Sequence, residues 1–129
     1  MANADAAKAL RDHGWRVFAA CRQQVDCDRL RAMGLDSPRI DYTDPDSITA
    51  GLAQVLDATG GTLDALFNNG GHQMSGAVED VPRDGMRAIF EANFFGWHDL
   101  TRQVIPVMRA QGHGRIVMCS SSLGLVSIP

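Results

Sequence analysis

Apolar positions along the chain fall into two alternating rhythms. Four short continuous runs, "WRVFAA", "PRI", "LDALFN" and "RIVMC", are separated by longer stretches in which apolar residues recur every three or four positions. The first rhythm marks buried strands, and the second marks one face of a helix. Helices are predicted over residues 4–13, with Ala7 and Leu10 inward, and over 26–33, with Leu30 and Met33 inward. A third begins at Asp44-Pro45, with Asp as N-cap and Pro in the first turn, and carries Ile48, Leu52, Val55 and Leu56 to the stop at Gly60-Gly61. A fourth runs from Pro82 to near Phe94, with Met86, Ile89 and Phe90 on its apolar face. A fifth carries Trp97, Leu100, Thr101, Val104, Ile105 and Met108 to a stop near Gly112, and Pro106 predicts a bend in it. Strands alternating with helices, without long hairpins, predict an α/β domain with a parallel sheet and helices on both faces.

In such a sheet, ligands bind beyond the carboxyl ends of the strands. The residues leaving the four runs are Cys21-Arg22, Asp41-Tyr42-Thr43-Asp44, Asn68-Asn69-Gly70-Gly71 and Ser120-Ser121-Ser122. All are small, polar or charged. That concentration places the candidate site at this one end of the sheet.

Composition narrows the classes of function. The chain has 129 residues, 45% hydrophobic and 21% charged, which is globular rather than disordered and is read as one domain over 1–129. Its formal charge of −3 gives no footprint for nucleic acid. No apolar run is long enough to span a bilayer, and "MANADAAKAL" lacks the basic and apolar regions of a signal peptide. Cys21, Cys27 and Cys119 are odd in number and lack C-x-x-C spacing, which argues for a reducing cytoplasm rather than disulfides or zinc. His13, His72, His98 and His113 have no ligand-like spacing, so no metal is expected.

Four motifs in order make the chain resemble the short-chain dehydrogenase/reductase family from about Ala6 to Pro129. The family's N-N-A-G appears as Asn68-Asn69-Gly70-Gly71, and its D-V-T-D as Asp41-Tyr42-Thr43-Asp44. Its N-x-x-G helix asparagine is Asn93, and its I-S-S-x-x-G is Cys119-Ser120-Ser121-Ser122-Leu123-Gly124. The resemblance implies a partial Rossmann-like, doubly wound parallel sheet of about four strands. It also implies hydride transfer between a nicotinamide cofactor and a small carbonyl or secondary alcohol. Ser121 would polarise the substrate oxygen, and Asn93 would support the proton relay. Asp41, Tyr42 and the loop Asn68, Asn69, Gly70 and Gly71 would border the adenosine half of the cofactor. At the first strand exit an NAD-selective site carries an acid that binds the ribose; here Arg22 stands instead, which favours NADP over NAD. The stripe from Trp97 to Met108 is either core or, as in the family, the surface where a second copy packs.

Two of the family's motifs have no counterpart. There is no glycine-rich phosphate loop ahead of the first helix and no Y-x-x-x-K after Ser121, and the single tyrosine and single lysine are Tyr42 and Lys8. The expectation is therefore a truncated reductase, inactive alone; the alternative is a non-catalytic interaction module. In the family's strand order, 3-2-1-4-5-6-7, the four runs correspond to strands 2 to 5. The expectation is then that the "WRVFAA" run pairs directly with "LDALFN", or that the fold is marginal and prone to aggregate.

Overall fold

The computed structural model of the chain describes residues 2–121, 124 and 125; Ser122 and Leu123 of the serine motif lie outside the described residues. In chain order the elements are α1 (Ala2–Asp12), α2 (Gln24–Ala32), α3 (Pro45–Thr59), β1 (Ala65–Asn68), α4 (Arg83–Phe90), α5 (Gly96–Gln111) and β2 (Arg115–Met118). A 3-10 turn, Val78–Asp80, precedes α4, and a π-helical turn, Glu91–Phe95, joins α4 to α5.

Local signals set the limits of α3. The Asp44 carboxylate accepts from the backbone N–H groups of Asp46 and Ser47, each at 3.1 Å, and Gly60 ends the helix in the left-handed region at φ 69°. Its inward stripe, Ile48 and Leu52, meets Leu100, Val104 and Met108 of α5 in the larger core cluster, which Ile40, Tyr42, Leu56, Leu63 and Leu66 extend. A second cluster joins Ala7 of α1, Leu30 of α2 and Leu35 to Val17, Ala19 and Cys21. The two clusters form two helical layers, as the alternating pattern predicts.

β1 and β2 pair in parallel, with Leu66 opposite Ile116 and Asn68 opposite Met118. Leu66 faces the core, while Phe67 and Val117, paired on the other face, remain about half exposed. The first two predicted strands do not form a ladder. They meet only at the parallel bridges Phe18–Asp36 and Cys21–Arg39, so the sheet has two strands among the described residues rather than about four. Pro38 supplies the reason. It has no N–H to give Ala19, whose carbonyl takes the Ser37 hydroxyl instead at 2.7 Å. Around that interruption, Ala19 N–H donates to Asp36 O, Cys21 N–H to Pro38 O and Ile40 N–H to Cys21 O. The expected direct pairing of "WRVFAA" with "LDALFN" does not occur among the described residues.

The fourth and fifth predicted helices form one continuous rod. Phe95 and Gly96 keep helical dihedrals, so the wide turn at Glu91–Phe95 carries α4 straight into α5. Met86 and Phe90, expected to face inward, are exposed, because α4 lies away from both core clusters. Pro106 sits within α5 without ending it. In the stripe from Trp97 to Met108, Leu100, Val104 and Met108 are buried against the chain's own α3 and β1, while Ile105 is exposed.

Candidate active site

The four strand exits come together in two adjacent pairs. Ile40 N–H donates to Cys21 O at 3.0 Å, which sets Arg22 beside the start of the Asp41–Asp44 loop. Cys119 N–H donates to Asn68 O at 2.9 Å, which sets Ser120 and Ser121 beside the Asn69–Gly71 loop. Tyr42 connects the two pairs. Its ring lies against Gly70, where an added Cβ would stand 2.9 Å from Tyr42 Cε2. The root of the same side chain abuts the backbone of Gly96, where a Cβ would collide with Tyr42 Cβ and its carbonyl oxygen. Both glycines are therefore required by close approach. Burial pushes the Tyr42 phenol up from its ordinary 10 to about 12.

Each exit has its own electrostatics. Arg22 is exposed, and its guanidinium has no ion-pair partner among the described residues. Beside it, burial, with the Cys27 thiol and Asp26 carboxylate nearby, pushes the Cys21 thiol up, so it stays protonated and inert at neutral pH. Asp41 folds its carboxylate over its own loop, accepting from Thr43 N–H at 3.0 Å and the Thr43 hydroxyl at 2.8 Å.

Asn68 is fully buried. Its Nδ2 donates to Thr101 Oγ1 at 3.0 Å and contacts Met118 Sδ at 3.2 Å, while its Oδ1 has no hydrogen-bond partner among the described residues. Asn69 is half-buried and Gly71 is exposed.

The rod formed by α4 and α5 holds the loop after β1 at two points. Asn93, in the π-helical turn, gives Nδ2 to His72 O at 2.7 Å and takes His72 N–H on Oδ1 at 3.1 Å. Four residues on, the Trp97 indole N–H donates to Gly70 O at 2.7 Å. The side-chain amide of Asn93 is thus occupied on both its atoms by one backbone unit. The sequence places Trp97 and Thr101 on an apolar stripe and gives them no part in the site. Their spacing from Asn93, four and eight residues along one helical face, is the signal that could have found them. Arg39 is a further residue at this end: its Nε donates to Arg22 O at 3.1 Å.

Ser121 stands exposed just beyond β2, its carbonyl accepting from Gly124 N–H at 3.0 Å. A surface groove of about 540 Å³ lies at the opposite end of β2, among Ile105, Met108, His113 and Ile116, away from all four exits. Among the described residues no cluster of His, Cys, Asp and Glu is placed to hold a metal ion, and no helix is long and apolar enough to cross a membrane.

Comparison with known proteins gives a consistent result. The chain is 39% identical over 125 residues to the oxidoreductase YbbO of Escherichia coli, covering 97% of this chain and 46% of that protein. It is 38% identical over 89 residues to dehydrogenase/reductase SDR family member 7B of Mus musculus, covering 69% of this chain and 27% of that one. Among solved structures, a short-chain dehydrogenase from Streptomyces avermitilis superposes with a TM-score of 0.84 at 34% identity, over 94% of this chain and 45% of that one. An actinorhodin polyketide ketoreductase variant with NADPH superposes with a TM-score of 0.86 at 28% identity, over 97% of this chain and 51% of its own. The chain therefore spans about half, or less, of the length of these relatives. Residues 4–129 match the family described as short chain dehydrogenase, with its Rossmann fold, and the chain belongs to that family of oxidoreductases.

Proposed function

We propose that this chain forms the adenosine-binding side and substrate-polarising strand end of an NADP-preferring reductase. The reaction is hydride transfer between NADP(H) and a small carbonyl or secondary-alcohol substrate. The observation that carries the cofactor preference is Arg22, an exposed guanidinium without a carboxylate partner among the described residues, at the strand exit where an NAD site carries an acid. A guanidinium there matches a 2′-phosphate in bidentate fashion and leaves a bare ribose hydroxyl unrewarded. Asp41, the backbone of Tyr42 and the Asn68–Gly71 loop border the adenosine. The similarity to a ketoreductase solved with NADPH supports this reading.

When bound, the nicotinamide supplies or accepts the hydride. The chain's own contribution at that end is Ser121, whose hydroxyl donates a hydrogen bond to the substrate oxygen and stabilises the charge that develops there. Asn93 acts as a positioning residue. Its amide fixes His72, and its main chain, with the one N–H and one lone pair the amide has left, serves to hold a proton-relay water. Tyr42, the one tyrosine, is no proton donor: it is packed under Gly70 and titrates near 12 rather than near neutrality.

Titration calorimetry of the chain with NADPH and with NADH tests the preference. NADPH is expected to bind about tenfold more tightly or better, as one charge-assisted bidentate contact warrants. Equal affinities would overturn the assignment of Arg22.

A further inference from the structure

Arg22 is not the only cation at its strand exit without a counter-ion. Between residues 11 and 39, Arg11, Arg16, Arg29 and Arg31 each hold a carboxylate: Asp12, Asp36, Asp26 and Asp28 respectively. Arg22 and Arg39 are the arginines of this stretch with no such partner among the described residues, and both are exposed. They are also neighbours. The Cys21–Arg39 bridge sets Arg39 beside the residue preceding Arg22, and Arg39 Nε donates to Arg22 O at 3.1 Å. That bond ties one edge of the Arg39 guanidinium to the Arg22 peptide and leaves its terminal nitrogens with no protein acceptor among the described residues.

We infer that Arg22 and Arg39 together form a two-arginine clamp for a phosphate monoester dianion, with Arg39 as a second specificity-determining residue for the 2′-phosphate. The inference rests on the reading of Arg22 given above and deepens it. Two guanidinium groups carried at one strand exit without an acid between them favour a shared anion. A phosphate monoester carries about −1.5 to −2 charges at neutral pH and offers three acceptor oxygens, enough for both forks. The next carboxylates along the chain after the two arginines are already engaged: Asp26 with Arg29 at 3.2 Å, and Asp41 with the Thr43 backbone and hydroxyl. Helix α2 begins at Gln24, two residues after Arg22, with no side-chain cap on its first N–H groups, so its positive end adds to the same corner. The Arg39 bond to Arg22 O also sets the direction in which the Arg22 backbone leaves the strand.

The test uses the 129-residue chain with adenosine 2′,5′-bisphosphate and adenosine 5′-monophosphate as probes, and Arg22→Ala, Arg39→Ala and Arg39→Lys as variants. The wild type is expected to prefer the bisphosphate. Arg39→Ala is expected to cut that preference about tenfold or more, with the monophosphate affinity unchanged, and Arg39→Lys to restore part of it as a point charge. Should Arg39→Ala fail to fold by circular dichroism, Arg39→Lys and Arg39→Gln decide, with a larger loss expected for Gln. An equal loss for both probes in Arg39→Ala would overturn the clamp in favour of a purely structural tie. So would an unchanged preference in Arg39→Ala beside a lost preference in Arg22→Ala, and that outcome would leave the Arg22 assignment standing. No preference in the wild type, or no binding of either probe at millimolar concentration, would overturn both.

Discussion

Replacing Gly70 by Ala restores the residue usual in the family's N-N-A-G loop, and in this chain it is expected to destabilise. The new methyl would stand 2.9 Å from Tyr42 Cε2, closer than side chains pack, so one of the two must move. The ring cannot retreat along its own axis, because Gly96 of α5 already abuts the Tyr42 Cβ and carbonyl. The loop cannot swing freely either, since Trp97 holds Gly70 O at 2.7 Å. Overpacking of this kind costs about 1–3 kcal/mol. The loss of glycine's freedom in the unfolded chain returns about 0.4–1 kcal/mol. The net expectation is a destabilisation of roughly 1–2 kcal/mol, a fall of about 3–8 °C in Tm for a chain of this size. Tyr42→Val, which restores the family's residue at that position, removes a packed ring and costs on the order of 2–4 kcal/mol alone. The double variant should be no less stable than Tyr42→Val, because the methyl then fills space the ring has left. The coupling in a double-mutant cycle is therefore about 2 kcal/mol, within the range for residues in contact. Urea unfolding of the four proteins, followed by circular dichroism, measures it. An additive cycle, or a Gly70→Ala chain as stable as the wild type, would refute the claim that the tyrosine occupies the alanine's space.

The Tyr42 phenol should also make the fold sensitive to alkali. Its folded pKa, near 12, lies above the unfolded value near 10, so the folded chain holds the proton more tightly. That stability is complete below about pH 10 and is lost as pH rises towards 12, to a total on the order of 2–3 kcal/mol. With a single tyrosine in the chain, absorbance of the phenolate reports this one group, and a midpoint at 10 in the folded chain would refute the burial. Asn93→Ala should release both backbone groups of His72 to solvent at a cost of about 1 kcal/mol, since His72 is exposed and water can replace the amide. Hydrogen exchange at the His72 amide should accelerate about tenfold, and unaltered protection would show that the clamp does not hold the loop.

What the sequence made legible was whatever is written locally. The Asp44-Pro45 start of α3 and its stop at Gly60 are fixed by residues within a few positions of the helix ends, and both appear as predicted. The four strand exits were likewise identifiable, because they follow apolar runs. Contacts between distant segments were not legible. Pro38 fits a strand by its neighbours, but only the Ala19 carbonyl opposite shows that a ladder bond is missing there. Nothing in "EANFFGWHDL" announces that two helices fuse, because the wide turn is decided by what Asn93 and Trp97 reach in the loop after β1. Tyr42 and Gly70 each look ordinary in isolation; their meaning is the pair.

Asn68 shows how this fold sets stability against use. A side chain of its size could be leucine, and Thr101 could be valine. Replacing both members of a buried polar pair by apolar groups of similar shape is commonly neutral or stabilising. Exchanging the two ends of the amide gives no escape. Oδ1 would then accept from the Thr101 hydroxyl, but the amide nitrogen would take the present Oδ1 position, where no acceptor stands among the described residues. A buried acceptor without a donor costs about 1–3 kcal/mol, a large fraction of what holds a domain together. On the role proposed above for that loop, the easiest route to a hardier version of this chain runs through a residue the site is least able to give up.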